Sequence, residues 1–141
     1  MVYVLPNIQE FSMSACSICM RQKSRCTDGV QPKLVVVEAE YLSPDERTAF
    51  ALLSSRVATA LLPDPAQGEL AAQCRTHGCT LVQTAVIATS QRGLPLLLEA
   101  GVALCLRGAG YENEAAADMV FQPRSSGGLA AAIEYACRLV A

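Results

Sequence analysis

Residues 84–106 read TAVIATSQRGLPLLLEAGVALCL, and the choice of fold turns on them. The first five, TAVIA, are apolar with no polar alternation, and with residues 81–83 they predict a strand over 81–88 buried on both faces. A short polar turn, ATSQRG, follows, and LPLLLEA (94–100) resumes as a short helix closed by Gly101. VALCL (102–106) predicts the next strand. Strand, tight turn, helix and strand make one unit of a parallel sheet, and such a turn is a common scaffold for phosphate chemistry. This turn carries no acidic residue.

The same alternation extends outward. KLVVVEA (33–39) is β-branched and predicts a buried strand. SPDERTAFALLSS (43–55) predicts a helix, with Ser43 as N-cap, Pro44 at its first position and acids in its first turn. VATALL (57–62) is a strand stopped by Pro-Asp-Pro, and 65–77 is an amphipathic helix ending near Gly78. DMVFQ (118–122) predicts a strand and 126–140 the last helix. Near the start, VYVL (2–5) is an apolar run ended by Pro6, and 8–20 patterns weakly as a helix. Strands alternating with helices predict an α/β fold, a Rossmann-like three-layer α/β/α sandwich around a mostly parallel sheet. The chain is expected to form a single domain over 1–141, with MRQKSRCTDGVQP (20–32) as a mobile loop.

Composition bounds the function. The 141 residues are 52% hydrophobic, which suits one domain with a real core and excludes disorder. Aromatics are 5% with no Trp, so that core is aliphatic. A net charge of −2 excludes a broadly basic nucleic-acid surface, and no partner nucleic acid is expected. No apolar run reaches the ~20 residues that cross a bilayer. The opening MVYVLPNIQEF lacks the basic start of a secretory signal. An intracellular, cytoplasmic, soluble chain is expected, and the odd count of seven Cys fits reduced thiols better than a disulfide framework.

Several segments, in order, resemble the phosphorylation domain of P-type ATPases, a haloacid-dehalogenase-like domain, and within it the phospholipid flippase branch. KLVVVEAEYL is similar to that branch's ALVIDGxSL. FALLSSRVATALLPDPAQGELA is similar to FLxLAxxCxxVICCRxSPxQKxxIV, without a gap. TAVIATSQRGLPLLLEAGVAL is similar to TLAIGDGANDVxMIQxAxVGV, also without a gap. AAADMVF follows like xxSDYAI, and MVYVLPNIQEF resembles VWVLTGDKxET, one residue short. The stretch EAGVAL…AAADMV also looks like the tail of small haloacid-dehalogenase phosphatases.

The resemblance implies phosphoryl transfer, which needs an aspartate nucleophile, a hydroxyl on the phosphoryl oxygens, a lysine and acids for magnesium. No DKTGT nucleophile loop occurs in this chain. The TGD loop becomes Pro6-Asn7, and the lysine of SPxQK becomes Gly68. In the last loop the first magnesium Asp becomes Thr89, the Asn becomes Arg92 and the second Asp becomes Gly93. Magnesium wants hard carboxylate oxygens, which these residues lack. Glu38-Ala39-Glu40 imitates an acid-x-acid loop, so Glu38 and Glu40 are the candidates if a site has been rebuilt. Against that, the resemblance puts Glu38 on an accessory strand, where it reads as part of a solvated turn. Arg92 is a candidate anion ligand beside the helix start at Leu94.

The expectation is therefore a catalytically silent relative or fragment of a flippase phosphorylation domain, with no cofactor, serving as an interaction or regulatory module. A protein partner or a second copy would be its ligand. Two alternatives stay open. One is a magnesium-dependent phosphatase with a rearranged site. The other is a zinc module: Cys16, Cys19 and Cys26 have the C-x2-C-x6-C spacing and basic interleaving of the first half of a fungal binuclear zinc cluster, though the second half is absent. Cys74, His77 and Cys79 fall at a helix end, and Cys105 and Cys137 read as core.

Overall fold

A computed structural model describes residues 31–140 and, ahead of them, the backbone of two short strands. These are β1 (Val4–Leu5) and β2 (Ile8–Gln9), paired antiparallel with Leu5 opposite Ile8. The helix expected from residue 8 therefore does not begin there. The readings on Pro6, Asn7, Cys16, Cys19 and Cys26, and on most of the 20–32 loop, lie outside the described residues.

The remaining strands form one sheet. They are β3 (Leu34–Glu38), β4 (Ala58–Leu62), β5 (Thr84–Ala88), β6 (Val102–Leu106) and β7 (Met119–Phe121), in the order β4-β3-β5-β6-β7. Every neighbouring pair is parallel. The helices between them are α1 (Pro44–Ser54), α2 (Glu69–His77), α3 (Leu94–Glu99), α4 (Tyr111–Ala116) and α5 (Gly128–Leu139).

Side chains alternate across the sheet, so each strand feeds two cores. Val35, Val37, Ala85, Ile87 and Leu104 face Ala49 and Leu53 of α1 and Leu129, Ile133 and Ala136 of α5. Leu34, Val36, Val86, Ala103 and Cys105 face Leu70 of α2 and Leu96 and Leu97 of α3. The three-layer α/β/α sandwich expected from the sequence is thus the observed one. Its strands lack polar alternation because both faces are covered. No helix among the described residues is long and apolar enough to cross a membrane.

Local chemistry accounts for the element ends. Ser43 Oγ accepts from Glu46 N at 3.3 Å and Glu46 Oε1 accepts from Ser43 N at 2.8 Å, a capping box that starts α1. Three boundaries differ from the sequence reading. Leu81–Gln83 is a 3-10 turn and not the start of β5, because Gln83 Oε1 accepts from Thr80 N at 3.0 Å and folds that turn back. The second helix begins at Glu69, four residues later than expected, because Gly68 ahead of it takes the left-handed conformation (φ 87°). The third, α4, has no counterpart in the sequence reading; YENEAA is one short turn-and-a-half without an apolar stripe.

A fork of hydrogen bonds ties the exit of β7 to the loop after β3. Arg124 Nε donates to Glu46 Oε2 at 3.0 Å, and Nη2 donates to Glu46 Oε1 at 2.7 Å and to the Tyr41 carbonyl at 2.6 Å. The guanidinium also lies 4.8 Å from the Tyr41 ring centre. The Arg124 hydrogen bond holds the Glu46 carboxyl below its ordinary value, against the opposing push of burial. Because the folded-state pKa is depressed, this stabilisation is present above the unfolded value near 4.5 and fades as pH falls through the lower folded value. Arg124→Ala is expected to cost about 2 kcal/mol at neutral pH, since it strands a nearly buried carboxylate. Urea unfolding of both proteins should show that gap shrinking below pH 4.5; a gap unchanged by acid would refute it.

Candidate functional site

Ligands of open parallel sheets bind beyond the carboxyl ends of the strands, where successive connections leave in opposite directions. Here that place lies between β3 and β5. The chain runs from β3 through α1 out to β4, then returns through α2 to β5 on the far side of β3. The last residues of the two strands, Glu38 and Ala88, are register partners.

Glu38 fills this crevice. It is 1% exposed, so it is not part of a solvated turn, and β3 lies within the sheet rather than apart from it. Its Oε1 accepts from the backbone N–H of Thr89 and of Ser90, both at 2.9 Å. Its Oε2 accepts from Ser90 Oγ at 2.9 Å. Thr89 Oγ1 donates to the Glu38 carbonyl at 2.8 Å. A buried carboxylate without partners would be strongly disfavoured, and these charge-assisted bonds make its burial tolerable. Successive N–H groups with an adjacent hydroxyl also form the donor set that grips oxyanions. The chain's own carboxylate occupies it.

The loop is braced from behind. Asn113 of α4, 1% exposed, donates from Nδ2 to the Ser90 carbonyl at 2.8 Å, and its Oδ1 has no hydrogen-bond partner among the described residues. Ser90 Oγ accepts from Arg92 N at 3.3 Å and caps the short turn Gln91–Gly93. Arg92 itself points outward. Its Nη1 lies 3.1 Å from Glu40 Oε2, with the two side chains 49% and 58% exposed. An exposed pair of this kind contributes ~0–1 kcal/mol. The structure thus separates the two acids of the Glu38-Ala39-Glu40 stretch: one inside, the other at the rim holding Arg92.

Two positions that the resemblance reads as degenerate are shaped by the fold around them. A Cβ added at Gly93 would lie 2.5 Å from Ala88 Cβ and 3.0 Å from Glu38 Oε1. Gly68 has open space around it, yet its φ of 87° is one that L side chains rarely adopt. The acid and the lysine that the resemblance would place there do not suit this backbone.

Magnesium can be tested against the donors. Among the described residues no three His, Cys, Asp or Glu side chains converge on one point. At the switch point both Glu38 oxygens are taken by the chain's own donors, and Glu40 is turned to Arg92. A hard cation needs several free oxygens, so the described residues around this crevice do not fit it. Elsewhere, Cys105 and Cys137 are buried core residues as expected, and His77 ends α2.

The sequence reading missed the burial of Glu38 and the parts played by Ser90 and Asn113. The available signal was an acid at one strand's carboxyl end facing a turn with two hydroxyl residues at another's.

No family model matches the chain, and no curated protein matches it. Solved structures do. One is 3-deoxy-D-manno-octulosonate 8-phosphate phosphatase from Moraxella catarrhalis, in complex with magnesium, phosphate and its sugar acid. It is 12% identical, aligns over 85% of this chain and 93% of its own, and has a TM-score of 0.64. Another, described as a probable YrbI family phosphatase from Pseudomonas syringae, is 16% identical over 83% of this chain and 89% of its own, with a TM-score of 0.54. At these identities the likeness is one of fold: the chain is an α/β domain of haloacid-dehalogenase-like architecture.

Proposed function

We propose that this chain is a catalytically silent haloacid-dehalogenase-like domain that works through contacts with a protein partner or a second copy of itself. The observation that carries this reading is the engagement of Glu38. The crevice where a phosphoryl group would sit is filled by a carboxylate that satisfies the loop's donors. A phosphoryl group and its magnesium would have to displace that carboxylate, and the other described residues offer the cation no cluster of acids in return. The gapless match of 50–71 and 84–104 to flippase segments supports descent from the phosphorylation domain of that branch.

A second reading has one observation in its favour. Glu38 ends a strand inside the sheet, at the switch point, where a carboxylate nucleophile of a phosphohydrolase would stand. Calorimetry with magnesium, alone and with beryllium fluoride as phosphoryl mimic, separates the two. The silent domain is expected to give no binding heat in either titration and no turnover of p-nitrophenyl phosphate. Magnesium binding that appears only with the mimic would overturn it in favour of the enzyme.

A further inference from the structure

The end of α2 brings two thiols together. Gly78 makes the left-handed turn (φ 69°, ψ 36°), and the Cys79 N–H donates back to the Cys74 carbonyl at 3.1 Å. In this helix ending the residue after the glycine packs against the residue whose carbonyl it caps. Here both are cysteines. The backbone bond keeps the two Cα atoms within about 7 Å of each other, close to the ~4.4–6.8 Å that disulfides span. Cys74 is 4% exposed, while Cys79 is half-buried and packs against the core cluster that holds Leu70 and Leu96.

We propose that Cys74 and Cys79 form a dithiol site that a small-molecule disulfide oxidises reversibly to an intramolecular disulfide. The Cys79 thiolate, the one solvent reaches, attacks a sulfur of oxidised glutathione. The glutathione S–S bond breaks, one glutathione thiolate leaves, and Cys79 carries the mixed disulfide. The Cys74 thiol then gives up its proton to solvent, its sulfur attacks Cys79 Sγ, and the second glutathione leaves. The dithiol loses two electrons and the small disulfide is reduced to two thiols. Exposure sets the order, Cys79 first and Cys74 as resolving thiol, and burial pushes the Cys74 thiol up to about 11 in the same sense. Nothing in this site depends on the crevice at Glu38.

The sequence supplies a direct assay. Trypsin cuts after Arg56, Arg75 and Arg92, so Cys74 and Cys79 fall on separate fragments, 57–75 and 76–92, each with one cysteine. The folded protein is incubated with oxidised glutathione, quenched in acid, alkylated and digested without reductant. The expected product is fragment 57–75 joined to 76–92, lost on reduction. Cys79→Ser should abolish it, and Cys74→Ser should leave a lasting glutathione adduct on Cys79. Both thiols recovered alkylated, an adduct that persists on wild-type Cys79, or Cys79 joined to a different fragment would each overturn the proposal. If Cys74→Ser does not fold, the wild-type map decides alone.

Discussion

Glu38→Ala is expected to lower the melting temperature by roughly 10–15 °C, from a loss of about 3–4 kcal/mol. The deletion leaves the N–H groups of Thr89 and Ser90 and the Ser90 hydroxyl facing a gap at the join of β3 and β5. Donors stranded in this way forfeit their desolvation in full. Glu38→Gln keeps the volume but offers one acceptor oxygen for two sets of donors, so about half the loss is expected. Thermal unfolding followed by circular dichroism measures both. The result also bears on mechanism. A carboxylate held for catalysis is commonly a stability liability, and its removal leaves the fold unchanged or firmer. An unchanged or raised melting temperature would therefore overturn the structural role of Glu38 and favour the phosphatase reading.

Gly93→Asp, the change that would supply the acid the flippase resemblance implies at this position, is expected to destabilise the domain by more than about 3 kcal/mol and to bind no magnesium. Its Cβ would overlap Ala88 Cβ at 2.5 Å, and both groups are buried. Its carboxylate would enter beside that of Glu38, whose Oε1 is 3.0 Å from the new Cβ. Like charges so close in a dry crevice repel strongly. Denaturant unfolding in the presence and absence of magnesium tests this. A variant as stable as the parent, or one firmed by millimolar magnesium, would show that the crevice still accepts a metal.

The sheet was legible because its strands are short β-branched or aliphatic runs between strong punctuation. Val35, Val36 and Val37 sit fully buried where the sequence predicts a strand, and α1 starts at the Ser43–Glu46 box the sequence signals. Elements without such signals were lost. Tyr111–Ala116 is too short for an apolar period to show, and Leu81–Gln83 looks like strand until Gln83 folds back on Thr80. The site was legible only as a set of missing groups at Thr89, Gly93 and Gly68. What stands in their place was hidden, because the partners of Glu38 lie 51 and 52 residues away and no local rule joins them. Glu40, two positions on, made the pair look like an exposed turn; a strand's period of two would put both acids on one face, and it is the end of β3 at Glu38 that lets Glu40 turn out to the rim.

A carboxylate carried on the sheet is a ligand that never dilutes. A free anion reaches the Thr89–Ser90 donors at its solution concentration, whereas Glu38 stands before them at an effective concentration well above the ~millimolar range of even flexible tethers. An anion of equal intrinsic strength therefore loses the competition at physiological levels. On the silent reading, the state of this loop is set by folding alone, and swings in phosphate or nucleotide supply pass it by. On that reading, a partner would meet a surface of constant shape.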